Sequence, residues 1–191
     1  QRELLTVLLD SEPEIIVVLD KFLGELQPII EKTKLKHIIV CKITDLLNPL
    51  MKVVISSILF IKGEKINIKQ KVIKFSNTIR HNIKLEKIIL NKNDIAFLQY
   101  TGGTTGKPKA AVLTHRNLLS NIEQVYIWVK NYISEGKEII LTALPLYHIF
   151  SLTVNCLTFF RLGSENLLIT NPRDIKSFIK TLKKNQFTVM T

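Results

Sequence analysis

The order of elements predicts an α/β fold, with mainly parallel sheets flanked by helices. Three observations carry that expectation. Short apolar runs rich in β-branched residues recur along the 191 residues. Segments with apolar residues at helical spacing stand between them. Two stretches rich in chemistry, Tyr100–Ala111 and Leu144–Phe150, follow directly on such runs, and open α/β sheets place ligands beyond strand C-terminal ends.

The elements follow in order. The first residues read as a helix. Ile15–Leu19 is a compact apolar run, as expected of a parallel strand buried on both faces. A helical stretch continues to about Thr33, with Pro28 breaking or restarting it. His37–Cys41 is the next strand, and Ile95–Tyr100 is a buried strand leading into a glycine-rich turn. Val112–Leu113 is a short strand. Thr114 caps the next helix, where Leu118, Ile122, Val125 and Val129 share a face. Ile139–Leu144 is a strand ending at a histidine motif. Ile149 to Phe160 reads as a short buried helix, interrupted by Ser151, Thr153, Asn155 and Thr158. Asn166–Thr170 is a strand, Asp174 caps a helix with Ile175, Phe178, Ile179 and Leu182 on one face, and Phe187–Met190 begins a last strand. This alternation implies βαβ units.

Composition excludes several classes. Hydrophobic residues make up 46% of the chain, enough for a sizeable core. Cys41 and Cys156 sit in apolar runs and read as buried free thiols, not a disulfide framework. No apolar run approaches the roughly 20 residues that span a bilayer. The formal net charge is +11. Lysine far outnumbers arginine, the usual base-reading residue, and the lysine, isoleucine and asparagine bias fits an A+T-rich genome. A nucleic-acid partner is therefore not expected.

Much of the excess charge lies in a basic excursion over residues 49–92. There Lys52, Lys62, Lys65, Lys69, Lys71, Lys74, Arg80, Lys84, Lys87 and Lys92 face only Glu64 and Glu86. Its apolar part, Met51–Ile61, fits two readings equally. One is an interfacial helix whose lysines meet anionic lipid headgroups. The other is an excursion packed on the protein's own core with solvated lysines.

The most informative stretch is Tyr100-Thr101-Gly102-Gly103-Thr104-Thr105-Gly106-Lys107-Pro108-Lys109-Ala110-Ala111. Glycines let the backbone approach a ligand, and convergent N–H groups bind phosphate. It is not a P-loop: Pro108 stands where Ser or Thr would hold magnesium, and Thr101 stands where the first glycine belongs. A dinucleotide fingerprint also fails, because the Gly-x-Gly spacing is absent. The stretch resembles the phosphate-binding signature of the adenylate-forming enzymes, Tyr-Thr-Ser-Gly-Thr-Thr-Gly-x-Pro-Lys-Gly, which include acyl-CoA synthetases, peptide-synthetase adenylation domains and luciferases. Gly102 replaces the serine, as in bacterial long-chain fatty acyl-CoA ligases. Ala110 replaces the last glycine. Leu144-Pro145-Leu146-Tyr147-His148-Ile149-Phe150 resembles the family's Pro-Leu-aromatic-His motif. Alone, His148 would read as a buried structural histidine; in this setting the site reading is preferred. Arg2–Leu5, Thr114–Asn117 and Ile169–Asp174 extend the likeness over the chain.

The resemblance implies that residues 1–191 are part of the large N-terminal AMP-binding domain of such an enzyme. The glutamate-bearing motif, the ribose-binding aspartate, the hinge and the catalytic lysine of the C-terminal domain are not found in these residues. The chain is therefore expected to be an internal piece of a ligase, inactive alone. The implied reaction is ATP-dependent conversion of a long-chain fatty acid to acyl-AMP and then acyl-CoA, with Mg2+ as cofactor and coenzyme A as co-substrate. Tyr100 to Ala111 would form the nucleotide site, with Thr104 beside the metal. His148 and Lys109 would act on the reacting groups. Lys107 is expected to be solvated, and Tyr100 to pack beneath the loop. A cytoplasmic location is implied, with peripheral contact to the inner membrane face and a homodimer left open. Two alternatives remain: another adenylate-former, such as a short-chain or aryl synthetase or an acyl-carrier-protein ligase, or a non-catalytic nucleotide- or lipid-binding remnant.

Overall fold

The structure is a computed structural model that describes residues 2–61, 71–79, 86–101 and 108–191, with the backbone alone for residues 59–61. It divides into two compact units. One comprises Gln1–Ile88 with Tyr100–Ala110; the other comprises Ile89–Gln99 with Ala111–Thr191.

In the first unit, helix α1 (Arg2–Ser11) precedes strand β1 (Ile15–Leu19). The helical stretch that follows is broken into a 3-10 turn at Asp20–Phe22, helix α2 (Leu23–Leu26) and a second 3-10 segment at Gln27–Lys32. Pro28 stands in the first turn of that last segment. It has no N–H to continue the α-helical ladder, so the helix restarts there as expected. Strand β2 (His37–Cys41) pairs in parallel with β1, from Ile15 opposite His37 to Leu19 opposite Cys41. Helix α3 spans Pro49–Ile61, and the short strand β3 (Ile73–Lys74) adds to the other edge of β2 in parallel, followed by helix α4 (Phe75–Thr78). The core gathers Leu8 of α1, Leu23, Leu26, Ile29 and Ile30 of the helical stretch, and Ile38 and Val40 of β2. Burial here follows position in the sheet. Central β2 hides alternate residues, whereas edge β1 leaves Ile15 and Val17 exposed. β1 is thus half-covered, not buried on both faces as its composition suggested.

In the second unit, strands β6 (Ile139–Thr142), β7 (Glu165–Leu168) and β8 (Val189–Met190) form a parallel sheet in the order β7-β6-β8. Helix α5 (His115–Val129) begins where predicted. The Thr114 side chain accepts from the Asn117 N–H, and the Asn117 side chain returns a bond to the Thr114 N–H, closing a capping box. The predicted short helix is a π-helix, Ser151–Thr158, running into the single turn α6 (Phe159–Arg161). Arg161 stacks over the Tyr126 ring at 3.9 Å and forks onto Glu123, tying α6 to α5. Gly163, at φ +66°, takes the left-handed turn that ends α6. Helix α7 (Ile175–Lys184) is capped by Asp174, which accepts from the Ser177 N–H. Its apolar face is half-covered: Phe178 and Leu182 are half-buried, and Ile175 and Ile179 are exposed.

Strands β4 (Ile95–Thr101) and β5 (Lys109–Thr114) form a two-stranded sheet, and the unit boundary falls within both. β4 was expected to be buried. Instead Ile95, Phe97 and Leu98 are exposed, and among the described residues β4 pairs with β5 in a two-stranded sheet. The cysteines are free but half-buried, not fully buried. Burial still raises the Cys41 thiol pKa, with nearby Asp45 adding to the effect.

Candidate active site

The glycine-rich motif is described only at its two ends. Gly102, Gly103, Thr104, Thr105, Gly106 and Lys107 lie outside the described residues. Tyr100, Thr101, Lys109 and Ala110 fall in the first unit. The Tyr100 phenol donates to the Asp10 carboxylate of α1 at 2.5 Å. Burial raises the phenol pKa, and the bond to Asp10 raises it further. The Thr101 hydroxyl donates across the strand pair to the Lys109 carbonyl at 3.3 Å. A hydroxyl has one proton, so a role for Thr101 as donor to phosphate would require this bond to open. Pro108 is half-buried, while the side chain of Lys109 lies in solvent. Ala111 is exposed in the second unit. Ala110 sits within β5, which removes any need for glycine at that position.

The second motif is fully described. β6 is the central strand of its sheet, with Ile140 and Leu141 at 0% exposure. Residues 143–148 leave its C-terminal end, the side where parallel sheets place ligands. His148 is exposed there, not buried. The segment is bound through its backbone. The Ser151 hydroxyl donates to the Leu144 carbonyl at 2.9 Å. The His148 N–H donates to the Pro145 carbonyl at 3.0 Å, and the Leu152 N–H donates to the His148 carbonyl at 2.9 Å. The Gln99 amide of β4 donates to the Tyr147 carbonyl at 3.1 Å.

Behind the segment lies a polar core that the sequence reading missed. Ser151, Asn155 and Thr158 are fully buried and Thr153 nearly so. These are the residues expected to interrupt an apolar helix; they form its inward face. Asn155 donates to the Thr142 hydroxyl at 3.4 Å and pairs with the Thr191 hydroxyl at about 3 Å. Thr142, the last residue of β6, donates to the Asn166 side chain of β7 at 2.8 Å. Thr158 donates to the Thr153 carbonyl five residues back, the spacing of a π-helix. The available signal was the i, i+2, i+4 and i+7 spacing of small polar residues within a single apolar run.

No group of three His, Cys, Asp or Glu side chains among the described residues could hold a metal ion. Thr104, the expected metal contact, lies outside them.

The AMP-binding enzyme family matches residues 1–191. The chain belongs to that family. A long-chain-fatty-acid–CoA ligase of Salmonella typhimurium is 44% identical over 195 residues, covering all of this chain and 35% of the relative. The corresponding ligase of Escherichia coli O6:H1 is 43% identical over the same length. The chain thus spans about a third of the relatives it matches. Among solved structures, the anthranilate CoA ligase AuaEII with anthranoyl-AMP matches 99% of this chain at TM-score 0.74 and 20% identity, over 32% of its own length. A long-chain-fatty-acid-CoA ligase from Archaeoglobus fulgidus matches 94% at TM-score 0.64 and 24% identity, over 31% of its length. These likenesses establish the fold of the N-terminal region of adenylate-forming enzymes.

Proposed function

We propose that this chain supplies the nucleotide- and acyl-handling part of a ligase that activates long-chain fatty acids. The observation carrying this reading is identity of 40–44% to several long-chain-fatty-acid–CoA ligases over the whole chain. The placement of His148 at the end of the central strand β6 supports it.

The chemistry follows from the substrates. A fatty-acid carboxylate acylates poorly because oxide is a poor leaving group. Its oxygen attacks the α-phosphorus of ATP, the bond to pyrophosphate breaks, and acyl-AMP forms. The thiol of coenzyme A then attacks the acyl carbon, loses its proton, and AMP leaves. The charge that develops at phosphorus needs fixed donors. The backbone amides of Gly102, Gly103 and Gly106 and the hydroxyls of Thr104 and Thr105 suit the β- and γ-phosphates. Lys109 screens their charge, Tyr100 braces the loop's first residue through Asp10, and His148 orients the carboxylate or meets the α-phosphate. Magnesium would enter with the ATP phosphates beside Thr104.

Peripheral contact with an anionic membrane belongs to the same reading. Helix α3 leaves Leu50, Val53, Val54 and Ile58 exposed beside a lysine-rich segment. No helix among the described residues is long and apolar enough to cross a bilayer, so contact would be with one surface.

The test is acyl-dependent pyrophosphate–ATP exchange by the protein expressed from its complete reading frame, across a chain-length series. Exchange should peak with long chains, and Lys109→Ala should slow it more than it weakens fatty-acid binding. Exchange only with aryl or short acids would transfer the chain to another branch of the family. No exchange with any acid would leave a non-catalytic binding protein.

A further inference from the structure

The segment that carries His148 is held in an unusual way. Its side chains pin it only in part: the Tyr147 ring is 81% exposed and Leu144 is 42% exposed, while Leu146 is half-buried. Packing therefore holds it mainly at Leu146, and hydrogen bonds to its backbone add to that hold. Three of those bonds are local. The Pro145 carbonyl is closed by His148 itself, and the Leu144 and His148 carbonyls by Ser151 and Leu152 of the following helix. The fourth comes from 48 residues away, where the Gln99 amide reaches the Tyr147 carbonyl at 3.1 Å. Gln99 lies on β4 and is followed directly by Tyr100, the first residue of the glycine-rich motif.

We propose that Gln99 is a positioning residue for adenylate formation: its amide fixes the backbone immediately before His148 relative to the Ile95–Gln99 part of β4. It touches neither substrate nor reacting atoms; it acts through His148. The proposal rests on the site reading of His148 given above. The physical ground is reach. A local turn fixes the shape of residues 144–148 but not their place, whereas a bond from another strand fixes both. A carbonyl that loses its donor is free to rotate toward water, and the imidazole on the next residue moves with it. Displacement of a catalytic group by a fraction of an ångström to 1 Å slows chemistry without necessarily weakening binding.

The experiment uses the protein from its complete reading frame and the near-isosteric Gln99→Met, which keeps volume and loses the donor. In acyl-dependent pyrophosphate–ATP exchange, kcat should fall about three- to tenfold, the order of one net hydrogen bond whose acceptor regains water. KM for ATP and for fatty acid should stay within about twofold. In a His148→Ala background, Gln99→Met should add no further loss, because the two act in series. Amide hydrogen exchange over Leu144–His148 should quicken in Gln99→Met while that of β2 in the other unit stays unchanged.

An unaltered kcat, a loss confined to KM for ATP, or a full additional loss in the His148→Ala background overturns the proposal. If His148→Ala exchanges at the parental rate, the site reading of His148 fails and the proposal fails with it. If the parent exchanges with no acid, the ligase reading has failed instead. Amide exchange then still decides the tie: faster exchange over Leu144–His148 upholds it, and unchanged exchange refutes it.

Discussion

Replacing Asn155 with alanine tests whether the polar core beneath His148 holds the sheet together. The side chain is fully buried on the π-helix and bridges the ends of β6 and the chain segment after β8. The bond to Thr191, at 3.0 Å, is a full hydrogen bond worth about 1 kcal/mol net. The contact to Thr142 is long at 3.4 Å and counts for a fraction of that. Thr142 keeps its bond to Asn166, so it is not stranded. Removing three heavy atoms from a closed site leaves a void of a few tens of Å3, which at about 24 cal/mol per Å3 adds roughly 1 kcal/mol. The sum is about 2 kcal/mol.

Native-state hydrogen exchange at the amides of β6 reads this directly. A loss of about 2 kcal/mol corresponds to exchange roughly thirtyfold faster. Ser164→Ala is the control. The Ser164 hydroxyl is buried with no hydrogen-bond partner among the described residues, so deleting it should be neutral or slightly stabilising. If Asn155→Ala leaves β6 exchange within threefold of the parent, or if Ser164→Ala costs as much, the polar core does not stabilise the sheet as reasoned.

Three further outcomes are expected. Thr114→Ala should destabilise α5 by about 1 kcal/mol through loss of its capping box, read as increased amide exchange at Arg116 to Leu119, whereas Thr114→Ser should largely preserve it. Glu138 titrates below the usual carboxylate range because the Ser134 N–H and then the Thr188 hydroxyl donate to its ionised form. Its contribution is therefore complete above the unfolded Glu range and is lost as pH falls through the lower, folded value, so Glu138→Gln should flatten the acid limb of the stability curve. If the basic excursion docks on lipid, replacing Lys62, Lys65, Lys69 and Lys71 with glutamate should reduce sedimentation with anionic vesicles, and so should added salt; undiminished pelleting of the charge-reversed protein would show those lysines to be only a solvated surface.

The strands and caps were legible because each has a local cause. β-branched runs fixed Ile15–Leu19 and His37–Cys41 to the residue. Thr114 and Asp174 were legible as caps because a side-chain oxygen three residues before a helical N–H is a local geometry. Strand ends were read less well: Ile139–Leu144 stops at Thr142, since the bond from Ser151 to the Leu144 carbonyl takes that residue out of the ladder. The two motifs were legible as chemistry, yet their supports were not. Asp10 beneath Tyr100 and Gln99 beside Tyr147 are 90 and 48 residues from their partners, and no periodicity encodes such pairings.

The π-helix shows why burial itself was misread in detail. Hydropathy assigns the inside of a helix to its apolar side, and Ile149 to Phe160 was read that way. Here the inside is the end of a parallel sheet, where the last strand residues present side-chain hydroxyls and amides beside backbone carbonyls. Ser151 and Asn155 meet those groups directly. A purely apolar face there would strand the Leu144 carbonyl, at a cost of about 1–3 kcal/mol if kept from water. Ser151, Asn155 and Thr158 recur at i, i+4 and i+7 and are buried with Thr153, while Leu152, Val154 and Leu157 are left half-covered. Polarity at this helix is therefore a consequence of what it packs on: the C-terminal end of β6 and the backbone of the segment that follows it.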